Sequence, residues 1–444
     1  MFIFPRNLYT DVRIEEVFET KIFYTMENLD ENKTRHYKAA FIRVFDGIKW
    51  YYSSTTDISN IQKEIDNLAS LATPNENIYD HPVIKKLETN SGSCITFTDN
   101  DISKIPKERK LSLLLPYFKY IKNPFIKMYS FKYIDERKVK NIYSSKGSNL
   151  TFDSQRAGFS LRFNMAEGEK QLTDGFQRSS CYFNELLNKE DEFVEYIKLC
   201  ENYLHEAKSV IPGKYTVILS PEAAGVFAHE SFGHKSEADF MLGDETMKKE
   251  WALGSRIAPE HLSIVDDGNE ISSGYVPFDD EGTRARKTFL IQNGILKGRL
   301  HSAVTSASLE EDVTGNGRAI NFEFEPIVRM TCTYIMPGNK TKEQLISEVE
   351  EGILVETIKH GSGMSTFTLA PNRSYYIRNG KIAEPVNVSV ITGSVFDTLS
   401  EIDGLSDKLQ IISFVTGGCG KMEQFPLPVG FGGPYVRVRN MNVQ

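Results

Sequence analysis

Residues 220–240, SPEAAGVFAHESFGHKSEADF, place His229, Glu230 and His234 in the order H-E-x-x-x-H. Imidazole is the commonest protein metal ligand, and a carboxylate next to a bound ion is a natural proton acceptor for hydrolysis. The spacing is one residue longer than the H-E-x-x-H helix signature that binds zinc. On an ideal α-helix, residues four apart are separated by about 40° around the axis, and residues five apart by about 140°. A plain helix therefore cannot aim both rings at one ion. The spacing predicts a local distortion: either a π-type turn, whose i→i+5 geometry aligns such positions, or an unwound last turn. Gly233, beside the second histidine, is the residue expected to make either distortion easy. Glu230 follows His229 and precedes His234 by four, so it falls near both without being a ligand.

Two imidazoles leave a zinc site incomplete, because catalytic zinc usually takes three protein ligands and a water. Cys419, in FVTGGCGKMEQ, is the preferred third candidate. Glycines on both sides let the backbone enter a crowded site, and a thiolate suits a borderline-soft ion. The residue types alone also admit the plainer reading, in which the histidines are ordinary helix residues and the cysteine is a small residue in a tight turn.

The elements that must carry these residues are readable. KYTVILS reads as a buried strand, and Ser220, Pro221 and Glu222 supply a capping hydroxyl, a first-turn proline and a first-turn acid for the helix that follows. Upstream, GIKWYYSSTT reads as a strand, after which Asp57 caps a helix with Ile58, Ile61, Ile65, Leu68 and Leu71 on one face. Runs between about 125 and 180 alternate β-formers with turn residues and predict an antiparallel sheet. A helix is expected through NKEDEFVEYIKLCENYLHEAKSV. VIPGKY breaks the pattern, and two Asn-Gly pairs, in RKTFLIQNGILKGRL and SYYIRNGKIAEPV, predict tight hairpins. The expected fold class is α+β. An N-terminal α+β domain with an antiparallel sheet spans 1–211, and a mainly antiparallel β domain carrying the metal-site helix spans 212–444. No fixed-period repeat or low-complexity tract appears.

With 444 residues, two domains are the default. A net charge of −8 gives no general attraction for a phosphate backbone, so nucleic acid is not expected as a main partner. Cys94, Cys181, Cys200, Cys332 and Cys419 are odd in number and never form C-x-x-C, which fits a reducing compartment. No apolar run reaches the roughly 20 residues that span a bilayer. The start, MFIFPRNLYTDVR, lacks the features of a secretory leader, so a cytoplasmic location without membrane attachment is expected.

HESFGHKSEADF, DDEG at 279–282, IQNGILKGRL, TGNGRA at 314–319, MTCTYIMPG at 330–338 and GGCGK at 417–421 together resemble the TldD/PmbA family of metallopeptidases. They keep the family's order across most of 213–444; the N-terminal half resembles it only in general layout. The resemblance implies a zinc peptidase acting on unfolded or flexible peptides. One zinc ion would be held by His229, His234 and Cys419, with Glu230 as catalytic acid/base. Because all four residues are present, the chain resembles the TldD-like, catalytic branch. The resemblance also implies a dimer, with a second copy or with a PmbA/TldE-like subunit. Glu237 and Asp239 match a family block and are candidates to accept a ligand histidine's free N–H; solvated or capping roles are as well supported. Asp279, Asp280 and Glu281 are read as a charged turn between strands, with cleft lining as the alternative. His36, His81, His205, His261, His301 and His360 have no partner at a telling spacing and are read as structural. Two other functions compete. One is a non-catalytic metal-binding regulator or adaptor, in line with the family's older label as a modulator of DNA gyrase. The other is a metal-independent hydrolase using Cys419 with a histidine.

Overall fold

A computed structural model of the chain describes residues 2–444. The β-forming runs of the first half pair into one twisted sheet. Tyr9–Thr25 lies between Asn28–Phe45 and Ile126–Ser144, both antiparallel to it. Ile126–Ser144 continues to Asn149–Glu167 and then Lys170–Ser180, so the antiparallel sheet expected across 125–180 is present. Trp50–Thr55 and Ser91–Cys94 complete seven strands. Helix Glu190–Glu206 buries Phe193, Ile197, Tyr203 and Leu204 in a core shared with Phe159 and Phe176 of the sheet. Helix Ile61–Leu71 buries Ile61, Ile65 and Leu68 as its spacing predicts. Leu71, assigned to the same face, is 67% exposed because the helix ends there. Ile58 belongs to a preceding 3-10 turn capped by Asp57.

Both Asn-Gly pairs make hairpins. Asn293 and Gly294, and Asn379 and Gly380, all take positive φ, the requirement of a tight two-residue turn. The second half is largely antiparallel, with parallel pairings that sequence alternation does not reveal. Gly213–Leu219 runs parallel to Glu351–Gly363, and Cys332–Ile335 parallel to Gly430–Gly433. Pairing passes from Glu351–Gly363 through Gly213–Leu219, Val436–Val443, Ile391–Ser394 and Thr366–Arg378 and returns to Glu351–Gly363, closing a ring of strands. A second sheet holds Ile264–Asp267, Cys332–Ile335 and Gly430–Gly433. The short helix Pro221–Phe227 is clamped against this sheet. A Cβ on Gly225 would sit 2.6 Å from the backbone nitrogen of Gly432, so only glycine lets helix and strand approach this closely. Among the described residues, no helix is long and apolar enough to cross a membrane.

Asp279, Asp280 and Glu281 form the charged turn expected, closed by a bridge between Phe278 and Arg284, and do not line the cleft at His229. All three are buried, Asp280 and Glu281 against the N-terminal sheet. Asp280 takes Lys140 at 2.5 Å and the backbone N–H of Ala319 at 2.8 Å, with Arg13 at 3.7 Å. Glu281 takes Arg43 at 3.2 Å and the N–H of Ala303 at 2.7 Å, while Arg43 also grips Asp11 at 2.8 Å. Burial would push the Asp280 carboxyl up, but Lys140 and Arg13 hold it well below the usual carboxylate range. Such a depressed group stabilises the fold above its unfolded pKa, near 4, and loses that contribution as pH falls. Asp280→Asn leaves Lys140 and Arg13 uncompensated and is expected to cost about 3–5 kcal/mol at pH 7 in urea unfolding. The variant should also lose less stability than wild type on acidification. An unchanged midpoint at both pH values would refute this role.

Candidate metal centre

Ser220 opens the helix by accepting the N–H of Ala223 at 3.2 Å while its hydroxyl donates to the carbonyl of Glu356 at 2.8 Å. The chain then follows α geometry through Phe227 and widens to a π-turn over Ala228–Gly233 before tightening to 3-10 at His234–Ser236. This is the first of the two distortions that the five-residue spacing predicts. It brings the rings of His229 and His234 to 5.1 Å between centroids, inclined at 79°. Gly233 is needed for a different reason from the one expected. Its φ of −58° and ψ of −53° are ordinary helical values, open to any residue. Its missing side chain matters instead for packing, because a Cβ there would collide with the sulfur of Met330.

Cys419 enters from the far end of the chain. Gly417 has φ of 97°, and the strand Cys419–Lys421 pairs with Gln424–Leu427. Arg329, buried, donates to the carbonyl of Cys419 at 2.7 Å and fixes the strand that carries the sulfur. Cys419 Sγ lies 3.6 Å from His234 Nε2, and one potential ligand atom from each of His229, His234 and Cys419 falls within 4.8 Å of the others. Glu230 shares a cleft of about 430 Å³ with His229, Cys419, Val226, Phe414 and Pro428. All four residues singled out from the sequence therefore meet at one place. Two imidazoles and a thiolate form a donor set suited to a divalent, borderline-soft ion. His229 Nδ1 is buried without a hydrogen-bond partner, the kind of orphaned atom that a ligated ion would satisfy.

A buried ionic chain backs the site. His234 Nδ1 meets Glu237 Oε2 at 3.1 Å, Glu237 meets Lys421 at 3.1 Å, and Lys421 meets Asp239 at 2.6 Å and the Val328 carbonyl at 2.9 Å. Glu237 is thus buried and orients a ring, rather than being solvated; Asp239 reaches the ring only through Lys421. Burial alone would push the His234 imidazole down, but hydrogen bonds to Cys419 and Glu237 push it up to about 10. Burial would raise the Cys419 thiol, yet the two histidines hold it well below the usual range. Lys421 and Arg329 were not picked out from the sequence. Lys421 had a signal, since it lies two residues from Cys419 and therefore on the same strand face. Arg318, in the glycine-rich TGNGRA segment, donates to the carbonyl of Pro428 at 3.0 Å and braces the cleft wall. The remaining histidines do not join the cluster found among the described residues. His81 caps a helix by accepting the Val83 N–H, and His301 is buried between Thr305 and Glu311.

The description "PmbA/TldA metallopeptidase C-terminal domain" matches residues 212–444, and "PmbA/TldA metallopeptidase domain 1" matches residues 10–72. The chain belongs to the TldD/PmbA metallopeptidase family. Among its relatives in this family, a metalloprotease of Methanocaldococcus jannaschii is 30% identical over 97% of this chain and 95% of its own length. A zinc metalloprotease TldD homolog of Saccharolobus solfataricus is 28% identical over 98% and 96%. Two solved structures share the fold. A Thermotoga maritima protein described as a modulator of a DNA gyrase has a TM-score of 0.79 at 19% identity, covering 98% of this chain and 96% of its own. TldE from Thermococcus kodakarensis has a TM-score of 0.76 at 16% identity, with the same coverage.

The thiolate in this family member is testable directly. Burial pushes the thiols of Cys181, to about 12, Cys200 and Cys332 upward, opposite to Cys419. In metal-free protein at pH 7, iodoacetamide should modify Cys419 ahead of those three, and a saturating divalent metal should protect it. Peptide mapping by mass spectrometry reads the result; equal labelling of Cys419 with and without metal would remove it from the ligand set.

Proposed function

We propose that the chain is a zinc-dependent peptidase of the TldD-like, catalytic branch, hydrolysing unfolded or flexible peptides. What carries this reading is the meeting of His229, His234 and Cys419 at a cleft that also presents Glu230. His229, His234 and Cys419 would hold one zinc ion. The chemistry such an ion supplies when bound is Lewis-acid polarisation of water and of the scissile carbonyl. Glu230 accepts the proton of the attacking water and passes it to the leaving amine, as a base within hydrogen-bond reach does. Glu237 holds the His234 ring by Nδ1, leaving Nε2 toward the sulfur. Cys419 brings a full negative charge, which makes the site less electrophilic than one with three neutral ligands and points to modest turnover.

Residues 1–211 and 212–444 are proposed as separate domains: the larger apolar cores fall almost wholly on one side or the other, and smaller clusters such as Phe152 with Phe278 and Phe97 with Tyr275 join them. A cytoplasmic location is part of the same reading. So is a dimer, with a second copy or with a TldE-like subunit; the fold shared with a TldE structure supports the latter. A regulator that merely binds metal would have no use for a carboxylate beside the ligands, and Glu230 therefore favours catalysis.

Zinc-loaded protein should cleave an unfolded substrate such as casein, and a chelator should stop cleavage. Glu230→Ala should lower turnover by about 10²–10⁴-fold while zinc content, measured by atomic emission, stays at the wild-type level. Full turnover in that variant would reject the role of Glu230; bound zinc with no chelator-sensitive cleavage would favour the regulator.

A further inference from the structure

We propose that Glu222 forms a subsite for an ammonium group of the peptide, three to four residues from the scissile bond. The inference rests on the peptidase reading above and adds a specificity determinant to it.

A groove of about 2370 Å³ runs between the N-terminal sheet and the ring of strands, with Asp174 and Arg178 on one wall and Glu356 and Arg373 on the other. Phe414 borders both this groove and the cleft at Glu230, which places the two side by side. Glu222 lines the groove from the first turn of the helix that carries the metal-site residues. Glu222 and Val226 are four apart on the α-helical part and share one face, and Val226 and Glu230 both face Gly361. Val226 and Glu230 line the cleft, and Glu222 continues the same line into the groove. Eight residues at a rise of about 1.5 Å span about 12 Å. An extended peptide at about 3.3 Å per residue covers that length in three to four residues.

Glu222 is half-buried, with one hydrogen-bond donor on its carboxylate. One carboxylate oxygen, Oε1, accepts the backbone N–H of Ile358 at 3.0 Å. Arg373, the cation whose charge reaches it, is bonded to Asp174 at 2.9 Å, and Glu356 adds further negative charge. Burial, the largest influence, pushes the carboxyl up to about 7, so it sits between its neutral and charged forms in neutral solution. A first-turn acid serving only the helix dipole would gain by staying solvated and ionised. An entering cation would supply a countercharge at a half-buried carboxylate, where pairing is stronger than in open water. The Ile358 N–H occupies one oxygen, which disfavours the two-pronged grip of a guanidinium and suits a compact ammonium. Both the α-ammonium of a peptide and a lysine side chain offer that group.

The test uses zinc-loaded full-length chain and one unstructured peptide in three forms: free N-terminus, acetylated N-terminus, and acetylated with a single lysine replacing a neutral residue. Cleavage positions and kcat/KM are read by mass spectrometry. Wild type should favour the ammonium-bearing forms by about tenfold or more, cutting three to four residues from the charge. Preference for the free N-terminus alone identifies the α-ammonium as the ligand; preference for both identifies any ammonium. Glu222→Gln keeps an acceptor for Ile358 but removes the charge, and should lose the preference. Fluorescence binding of the same peptides to zinc-loaded Glu230→Gln reads the subsite without turnover. Equal handling of all three forms by wild type, in turnover and in binding, overturns the subsite even if cleavage is robust. A binding preference without any chelator-sensitive cleavage would keep the subsite and overturn the peptidase reading.

Discussion

Two imidazoles five residues apart on one helix meet at a point only if the helix departs from α geometry, here by a π-turn, and the rest of this architecture serves that constraint. A π-turn has poorer packing and hydrogen-bond geometry than α and persists where surroundings hold it. Here the surroundings do so on several sides. Gly225 backs onto Gly432, Gly233 onto Met330, and Phe227 and Phe232 are fully buried in the core of the second half. Replacing either glycine would separate surfaces that now touch, so the helix is held in its distorted form by close packing rather than by soft backbone.

The same region shows how buried charge is used for placement. His234 is aimed by Glu237, Glu237 is held by Lys421, and Lys421 sits on the short strand that delivers Cys419. The His234 ring and the Cys419 sulfur, from distant parts of the chain, are thus fixed to each other through one ionic chain. Buried charges of this kind are weak arguments for stability, since desolvation offsets much of their attraction. Their physical value is geometric, because removing any member strands the others. The clasp of Asp280 and Glu281 on Lys140, Arg13 and Arg43 applies the same principle between the two halves of the chain.

Much of the local structure was legible from local chemistry. The Asn-Gly turns, the Ser220–Pro221–Glu222 helix start and the apolar face of Ile61, Ile65 and Leu68 follow from rules that act within a few residues. Leu71 was misassigned because periodicity does not mark where a helix frays. The parallel pairing of Gly213–Leu219 with Glu351–Gly363 was hidden because the partners are far apart in the chain and register between them is a tertiary matter. DDEG is legible as a charged turn, but its burial is not, because its counter-charges, Lys140, Arg13 and Arg43, belong to another part of the chain.

By itself, the sequence determined that His229 and His234 could converge only through a local distortion, since helical periodicity is a property of the backbone and holds wherever the segment sits. Which distortion occurred, that Gly233 serves packing against Met330, and that Cys419 stands 3.6 Å from His234 were decided by tertiary structure alone. Those outcomes depend on how strands hundreds of residues apart pack and pair, and no rule that acts within a few residues encodes that.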